Sequence, residues 1–271
     1  MRKVALITGA SSGIGKEIAK TLIRHNYIVY GAARSVEKMV DLVEMGGNIV
    51  FLDITNDNSI RECIRNISEK EGRIDILINN AGYGFYGAVE TVSLEEARKQ
   101  IEVNVFGLAR MIQLVLPTMH KQKSGKIVNI SSIAGKLTSP LGGWYFASKH
   151  AIEGLSDSLR QEVKPFGVDV IIIEPGGIQS EWASIAKNHL LNSSQDTVYA
   201  ELAKKVTDYF PFVEKQNAPP SVISSLVLKA VEAKNPRTRY VGGRLAFPLL
   251  LARKILPDKW FDAALRLQLG Y

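Results

Sequence analysis

The chain has 271 residues, 46% of them hydrophobic, which suits one α/β domain with a sizeable core and excludes a disordered chain. Its formal charge of +7 is scattered rather than gathered into Lys/Arg runs, so a solvated basic surface is expected and a nucleic-acid partner is not. A single cysteine, Cys63, excludes an internal disulfide, and the dispersed histidines His25, His120, His150 and His189 match no metal-ligand spacing, so no metal is expected.

The elements follow one another in a regular alternation. Strands are predicted at 4–8, 27–33, 48–53 and 74–79, with helices at 13–25, 35–45 and 58–71 between them. Leu94, Ala97, Ile101, Val105, Leu108, Ile112 and Val115 recur at helical spacing and predict one helix, with Pro117 near its end. A strand at 126–130, a helix at 144–163 and a strand at 168–174, stopped by Pro175-Gly176-Gly177, come next. From 178 to about 220 the pattern loosens into helical fragments; a helix at 221–233 and a short strand at 239–241 follow. This alternation predicts a single Rossmann-type α/β domain: a doubly wound parallel sheet with helices on both faces. A lid is expected at about 178–220 and an apolar C-terminal extension at about 243–271. The apolar run at 4–7 is too short for a signal peptide, and that at 245–252 too short to span a bilayer. The cytoplasm is therefore the expected location, with no transmembrane segment.

The first strand runs directly into Thr8-Gly9-Ala10-Ser11-Ser12-Gly13-Ile14-Gly15, and a helix follows. Glycines there allow a tight turn, close backbone approach to a pyrophosphate and packing of helix on strand, while the helix N-terminus favours an anion. The spacing is G-x-x-x-G-x-G rather than G-x-G-x-x-G, and its place after a strand and before a helix marks it as a dinucleotide loop. Tyr145 and Lys149 stand at i and i+4 and project from one helix face. An ammonium about 5 Å from a phenolate is worth roughly 3 kcal/mol at an effective dielectric near 20, enough to bring a phenol from about 10 to about 8. Such a tyrosine can deliver a proton to a developing alkoxide or remove it in reverse.

Thr8-Gly9-x-x-x-Gly13-Ile14-Gly15, Asn79-Asn80-Ala81-Gly82, Asn104, Ser132, Tyr145-x-x-x-Lys149 and Pro175-Gly176 stand in the order and spacing of the short-chain dehydrogenase/reductases. The resemblance is close from about 3 to 180 and looser beyond. The runs at 30–35 and 145–154 are similar to those of hydroxysteroid- and retinol-type members. The resemblance implies catalysis by Ser132, thirteen positions before Tyr145, which would bond the substrate oxygen. Ser131 is expected to cap backbone or face the cofactor. Asn104 interrupts an apolar helical stripe, so it must find buried partners; the resemblance adds a bound water linking Lys149 to solvent. It also implies that Lys149 bonds the nicotinamide ribose and that Asp53-Ile54 contacts adenine. Asn80-Ala81-Gly82 would support the ribose, Pro175, Gly176 and Ile178 would flank the nicotinamide, and the Ser180 hydroxyl would contact the carboxamide or a phosphate. The helices carrying Asn104 and Tyr145 would form a homodimer or homotetramer.

The cofactor expected is NADP(H). An NAD-specific site places an acid at the end of the second strand, where this chain has Ala33 and then Arg34. A guanidinium pairs with the 2′-phosphate, with Ser11 as a further donor. The substrate pocket is expected at 83–86, 133–144 and beyond Pro175, where Trp182, Tyr199, Phe210 and Phe212 suggest an apolar alcohol or carbonyl compound, steroid-, retinoid- or lipid-like. The rival reading from another class is an NADP-sensing binder without turnover; intact Ser132, Tyr145 and Lys149 favour an enzyme. The apolar segment 245–256, with a basic pair, leaves three readings: packing on the core, a subunit contact, or a monotopic membrane patch.

Overall fold

The structure, a computed structural model, describes residues 2–179, 182–214 and 216–270, with side chains at 182–184 and 209–214 left aside. Seven strands form one parallel sheet in the order β3-β2-β1-β4-β5-β6-β7. They are β1 (Val4–Thr8), β2 (Ile28–Ala33), β3 (Asn48–Phe51), β4 (Ile76–Asn79), β5 (Gly125–Ile130), β6 (Val168–Pro175) and β7 (Arg239–Gly242). The doubly wound Rossmann-type sheet expected from the alternation is the one observed.

The central strands are near-continuous apolar runs because both sheet faces are covered. Along β1, Val4 and Leu6 enter one core cluster while Ala5 and Ile7 enter the other, the period-2 alternation of a strand. On one face lie α3 (Asp57–Glu71), α5 (Leu108–Gln122) and α6 (Gly143–Val163), which contribute Ile64, Met111 and Ile152. On the other lie α1 (Gly13–Arg24), α2 (Val40–Glu44) and α9 (Ser221–Glu232), with Ile18, Leu42 and Val227. Asn56 caps α3 by accepting from Ser59 N at 3.0 Å, and Gly72 ends it in the left-handed conformation.

The structure departs from the predicted elements in three places. The helix predicted from Leu94 onward is α4 (Leu94–Ile101), a π-helical stretch (Glu102–Gly107) and then α5. The wider turn falls where Asn104 reaches for buried partners and Gly107 packs on Ile54. Pro117 lies inside α5 on an exposed position, five residues before the helix ends. This run, Leu94–Gln122, has the length and apolarity of a membrane span, but its stripe of Met111, Ile112, Val115 and Met119 packs on the sheet. Second, the loose region contains two full helices, α7 (Trp182–Ser194) and α8 (Ala200–Glu214). Third, the C-terminal extension is helical, α10 (Ala246–Ile255) and α11 (Asp258–Leu269). Leu249, Ala252, Phe261 and Leu265 from these two helices pack on a third cluster that holds Tyr86, Tyr145 and Phe146, as the first of the three readings requires.

Candidate active site

The strand order reverses between β1 and β4, and the crevice at their carboxyl ends is where a doubly wound sheet receives a ligand. Here it measures about 1020 Å³. Gly9 and Gly13 take φ of +67° and +53°, which L side chains rarely adopt. A Cβ on Gly15 would run into Gly9 O and Asn80 Nδ2, so only glycine lets α1 sit this close to the loop. Ser12 occupies the N-cap position of α1 in extended conformation but makes no side-chain capping bond, and no acid occupies the first turn. The positive φ values, the glycine cradle and this uncapped helix start fit a dinucleotide pyrophosphate.

The crevice gathers most of the residues that the sequence singles out. Gly9, Ser11, Ser12, Gly13 and Ile14 line it from the loop, Arg34 from the end of β2, and Asp53 and Ile54 from beyond β3. Asn80, Ala81 and Gly82 line it from β4, Ser132 from β5, and Tyr145 and Lys149 from α6. Pro175, Gly176 and Ile178 line it from β6. Gly15 lies beneath the loop, and Asn104 lies behind the crevice wall. Ser180 is outside the described residues, as are the side chains of Trp182, Phe210 and Phe212. Tyr199 does not reach the crevice: its hydroxyl donates to Glu90 at 2.7 Å.

Asn80 fastens the loop to the sheet: its amide donates to Thr8 O and Gly9 O, both at 3.1 Å. Thr8 Oγ1 accepts from the backbone N–H groups of Asn80 and Ala81 at 3.0 Å each. Asp53 accepts from Thr55 N and Thr55 Oγ1. The backbone N–H of Thr55 above all, and Arg34 as a weaker contributor, hold the Asp53 carboxyl below its usual range.

At the other end, Tyr145, Ser132 and Lys149 converge. The Ser132 hydroxyl faces the same crevice as the Tyr145 phenol, accepts from Ala134 N at 3.1 Å and donates to Pro175 O at 3.3 Å. Ser132 thus makes the backbone cap, while Ser131 lines the crevice, the second of the two roles expected of it. The Ser131 hydroxyl is buried beside Gly135 and its N–H donates to Ile173 O. Lys149 Nζ donates to Ile130 O at 3.0 Å and lies 5.9 Å from the Tyr145 ring centroid. Burial pushes the Tyr145 phenol up to about 12, with the nearby Ser132 hydroxyl opposing. It pushes Lys149 down to about 8, with Glu153 opposing. The phenol near 8 expected from attraction alone is thus corrected: removing both groups from water outweighs the attraction between them.

Asn104 is satisfied within the protein. Its oxygen accepts from Tyr83 N at 3.1 Å, and its amide donates to Tyr83 O at 2.9 Å and to Ser148 Oγ at 3.0 Å. Ser148 in turn donates to Tyr145 O at 2.7 Å. Sequence reasoning missed this link, along with a buried chain in which Asn79 donates to Asn129 and Asn129 to Ser156. Polar residues at buried strand positions were the available signal. It also missed a charged cluster behind Lys149. Glu153 pairs with Lys136 and Arg239 at 2.9 Å each, and Arg239 reaches Asp157 at 2.7 Å and Glu174 at 3.3 Å. Burial, then repulsion from Glu153, raises Glu174 to about 7 despite that arginine. The substrate end is mixed rather than purely apolar: Phe85, its ring tilted against His189 with centroids 4.6 Å apart, and Ile185 stand beside Asn192, Ser193 and Asn217.

With this geometry in place, the comparisons agree on one family. The short chain dehydrogenase family model matches residues 3–189. The chain is 38% identical to a probable short-chain type dehydrogenase/reductase, VdlC, of Helicobacter pylori over 97% of both chains. It is 37% identical to a 3-ketodihydrosphingosine reductase of Bacteroides thetaiotaomicron, covering 98% of this chain and 97% of that one. An NADPH-dependent 3-dehydrocapnine reductase of Ornithobacterium rhinotracheale is 34% identical, over 96% and 95%. Among solved structures, a short-chain dehydrogenase from Streptomyces avermitilis matches with TM-score 0.84 and 32% identity, over 100% and 96%. A metagenomic short-chain oxidoreductase in complex with NADP matches with TM-score 0.70 and 27% identity, over 89% and 96%. The fold is also that of a Burkholderia phymatum member in complex with NAD, at TM-score 0.76 and 24% identity over 88% of each chain. The chain belongs to the short-chain dehydrogenases, oxidoreductases that bind NAD or NADP.

Proposed function

We propose that this protein interconverts an alcohol and a ketone on an apolar, lipid-like substrate with NADP(H). The convergence of Ser132, Tyr145 and Lys149 at one end of a crevice whose other end is a phosphate loop carries this reading. The bound cofactor supplies or accepts hydride; the chain handles the proton and the positions. Ser132 holds the substrate oxygen beside the Tyr145 phenol, and Tyr145 gives that oxygen its proton or takes it back. Lys149, held against Ile130 O, places its charge beside the phenol, which makes the phenolate accessible once substrate and cofactor displace the surrounding balance. The remaining acceptor capacity at Asn104 holds the water through which the proton is replaced from solvent.

Arg34 at the end of β2, with no acid at Ala33, supports NADP over NAD. The name of the Bacteroides relative supports a ketone within a sphingoid lipid, and the mixed lining suits a polar head joined to an apolar chain. Exposed Leu94, Phe106 and Leu155 along α4 to α6 supply the surface for a homodimer or homotetramer. The test is NADPH oxidation with 3-ketodihydrosphingosine and with shorter ketones. Wild type should turn over the lipid ketone, and Tyr145→Phe should lose at least about a hundredfold in rate while keeping its affinity for NADPH. A Phe variant that keeps more than a few per cent of the rate removes Tyr145 from the role.

A further inference from the structure

α10 and α11 each carry two apolar faces. The inner one is used, packed on the cluster around Tyr86 and Tyr145. The outer one is bare. Phe247, Leu251 and Ile255 recur every four residues along α10 and are 69%, 44% and 67% exposed. Trp260 and Leu267, two turns apart on α11, are 71% and 85% exposed. At 3.6 residues per turn each set falls within a sector of about 80° or less. Large apolar side chains lined up this way over two successive helices mark a contact surface rather than scattered exposure.

The charges beside these stripes select what covers them. Lys254 flanks Phe247 and Leu251 on α10, and Lys259 and Arg266 share one edge of the Trp260–Leu267 stripe. All three are exposed, and none is in an ion pair among the described residues. Arg253 and Asp258 pair with each other at 2.7 Å, and Asp262 lies on the far side of α11 from Trp260. The stripes are therefore rimmed by cations with no acid between them. A second copy of the chain docking face to face would bring like charges together. An anionic headgroup layer would neutralise them while the aromatic and aliphatic side chains enter the acyl boundary and the Lys and Arg stems reach back to the headgroups. We infer that α10 and α11 dock this protein on the surface of an anionic lipid bilayer. The inner faces of the same helices wall the Tyr145 cluster, so a bilayer held there lies one helix layer from it.

Co-sedimentation of the whole protein with vesicles tests this, and because it reads binding alone it is decided separately from the reaction proposed above. The protein should pellet with vesicles of phosphatidylglycerol and phosphatidylcholine, several-fold less with phosphatidylcholine alone, and less as salt rises. The double variant Trp260→Ser, Leu267→Ser alters only exposed side chains. It should lose most of the pelleted fraction while its unfolding midpoint stays at the wild-type value. Changing Lys254, Lys259 and Arg266 to Gln should weaken vesicle affinity about fivefold per charge. Absence of binding, or equal binding to neutral and anionic vesicles, overturns the inference. So does a vesicle-independent oligomer that the serine variant dissociates, since that would give the face to a second copy.

Discussion

Tyr145 and Lys149 sit one helical turn apart, and burial works on both: it favours the neutral phenol and disfavours the ammonium. Lys149, at about 8 rather than its ordinary 10.5, keeps its charge below that pH and loses it above. In the proposed reaction kcat/KM for the cofactor, which reports the free protein, should therefore fall by about tenfold per pH unit above roughly 8. A profile flat to pH 10 would mean that the ammonium is not required. Arg34 offers a second test at this scale. Its charge-assisted bond to a 2′-phosphate should favour NADPH over NADH by about tenfold or more. Arg34→Ala should erase most of that preference, and adding Ala33→Asp should invert it by repelling the phosphate and accepting from the ribose hydroxyl. Equilibrium titration of both reduced cofactors decides it; a variant that weakens both alike would show that Arg34 does not read the phosphate.

Among the elements, α6 and the π-helical stretch before α5 are tied together at Ser148. That hydroxyl accepts from Asn104 and donates to the carbonyl of Tyr145, fixing the helix turn that presents the phenol. Ser148→Ala should leave a buried amide donor of Asn104 without its partner and cost about 1–3 kcal/mol in urea unfolding. It should also slow turnover more than it weakens cofactor binding, since the affected turn carries Tyr145. Wild-type stability and rate in this variant would show that the link is not needed. The loop before α1 adds a different requirement: besides the Asn80 bonds to Thr8 O and Gly9 O, its geometry depends on missing side chains, Gly9 and Gly13 for backbone angle and Gly15 for close packing.

Across the whole molecule, Arg239 joins the far edge of the sheet to the active-site helix. From β7 it contacts Glu174 on β6 and Glu153 and Asp157 on α6, the first two carboxylates nearly inaccessible to solvent. Arg239→Met would strand those carboxylates, and removal of one partner from a buried ion pair costs about 3–5 kcal/mol. Glu174 sets the pH dependence. Its folded value, about 7, exceeds its ordinary 4.5, so the folded protein holds an extra proton between these values. The stability this contributes is complete below 4.5 and is lost as pH rises to about 7. Without the arginine the folded value rises further, so the variant should be more destabilised at pH 8 than at pH 5. Denaturant titrations at the two pH values check this; an equal loss at both would exclude Glu174 as the responsible group.

The parallel sheet, the phosphate loop and the pairing of Tyr145 with Lys149 were legible in the chain because each rests on local chemistry, whereas Ser132 was singled out by the resemblance to the short-chain dehydrogenase/reductases. Apolar runs at strand spacing, glycines at a turn and an i, i+4 pair on one helix keep their meaning wherever the fold places them. The tertiary structure alone decided the rest. It gave the backbone cap to Ser132 and left Ser131 in the crevice lining, widened the helix to π geometry around Asn104, and turned the apolar tail into two helices with an inner and an outer face. Thr8 meets Asn80 across 72 residues and Arg239 meets Glu153 across 86. No periodicity or spacing records such partners, because they meet only once the sheet has formed. The same holds for the pKa values: attraction between Tyr145 and Lys149 follows from their spacing, but the burial that outweighs it is a property of everything packed around them.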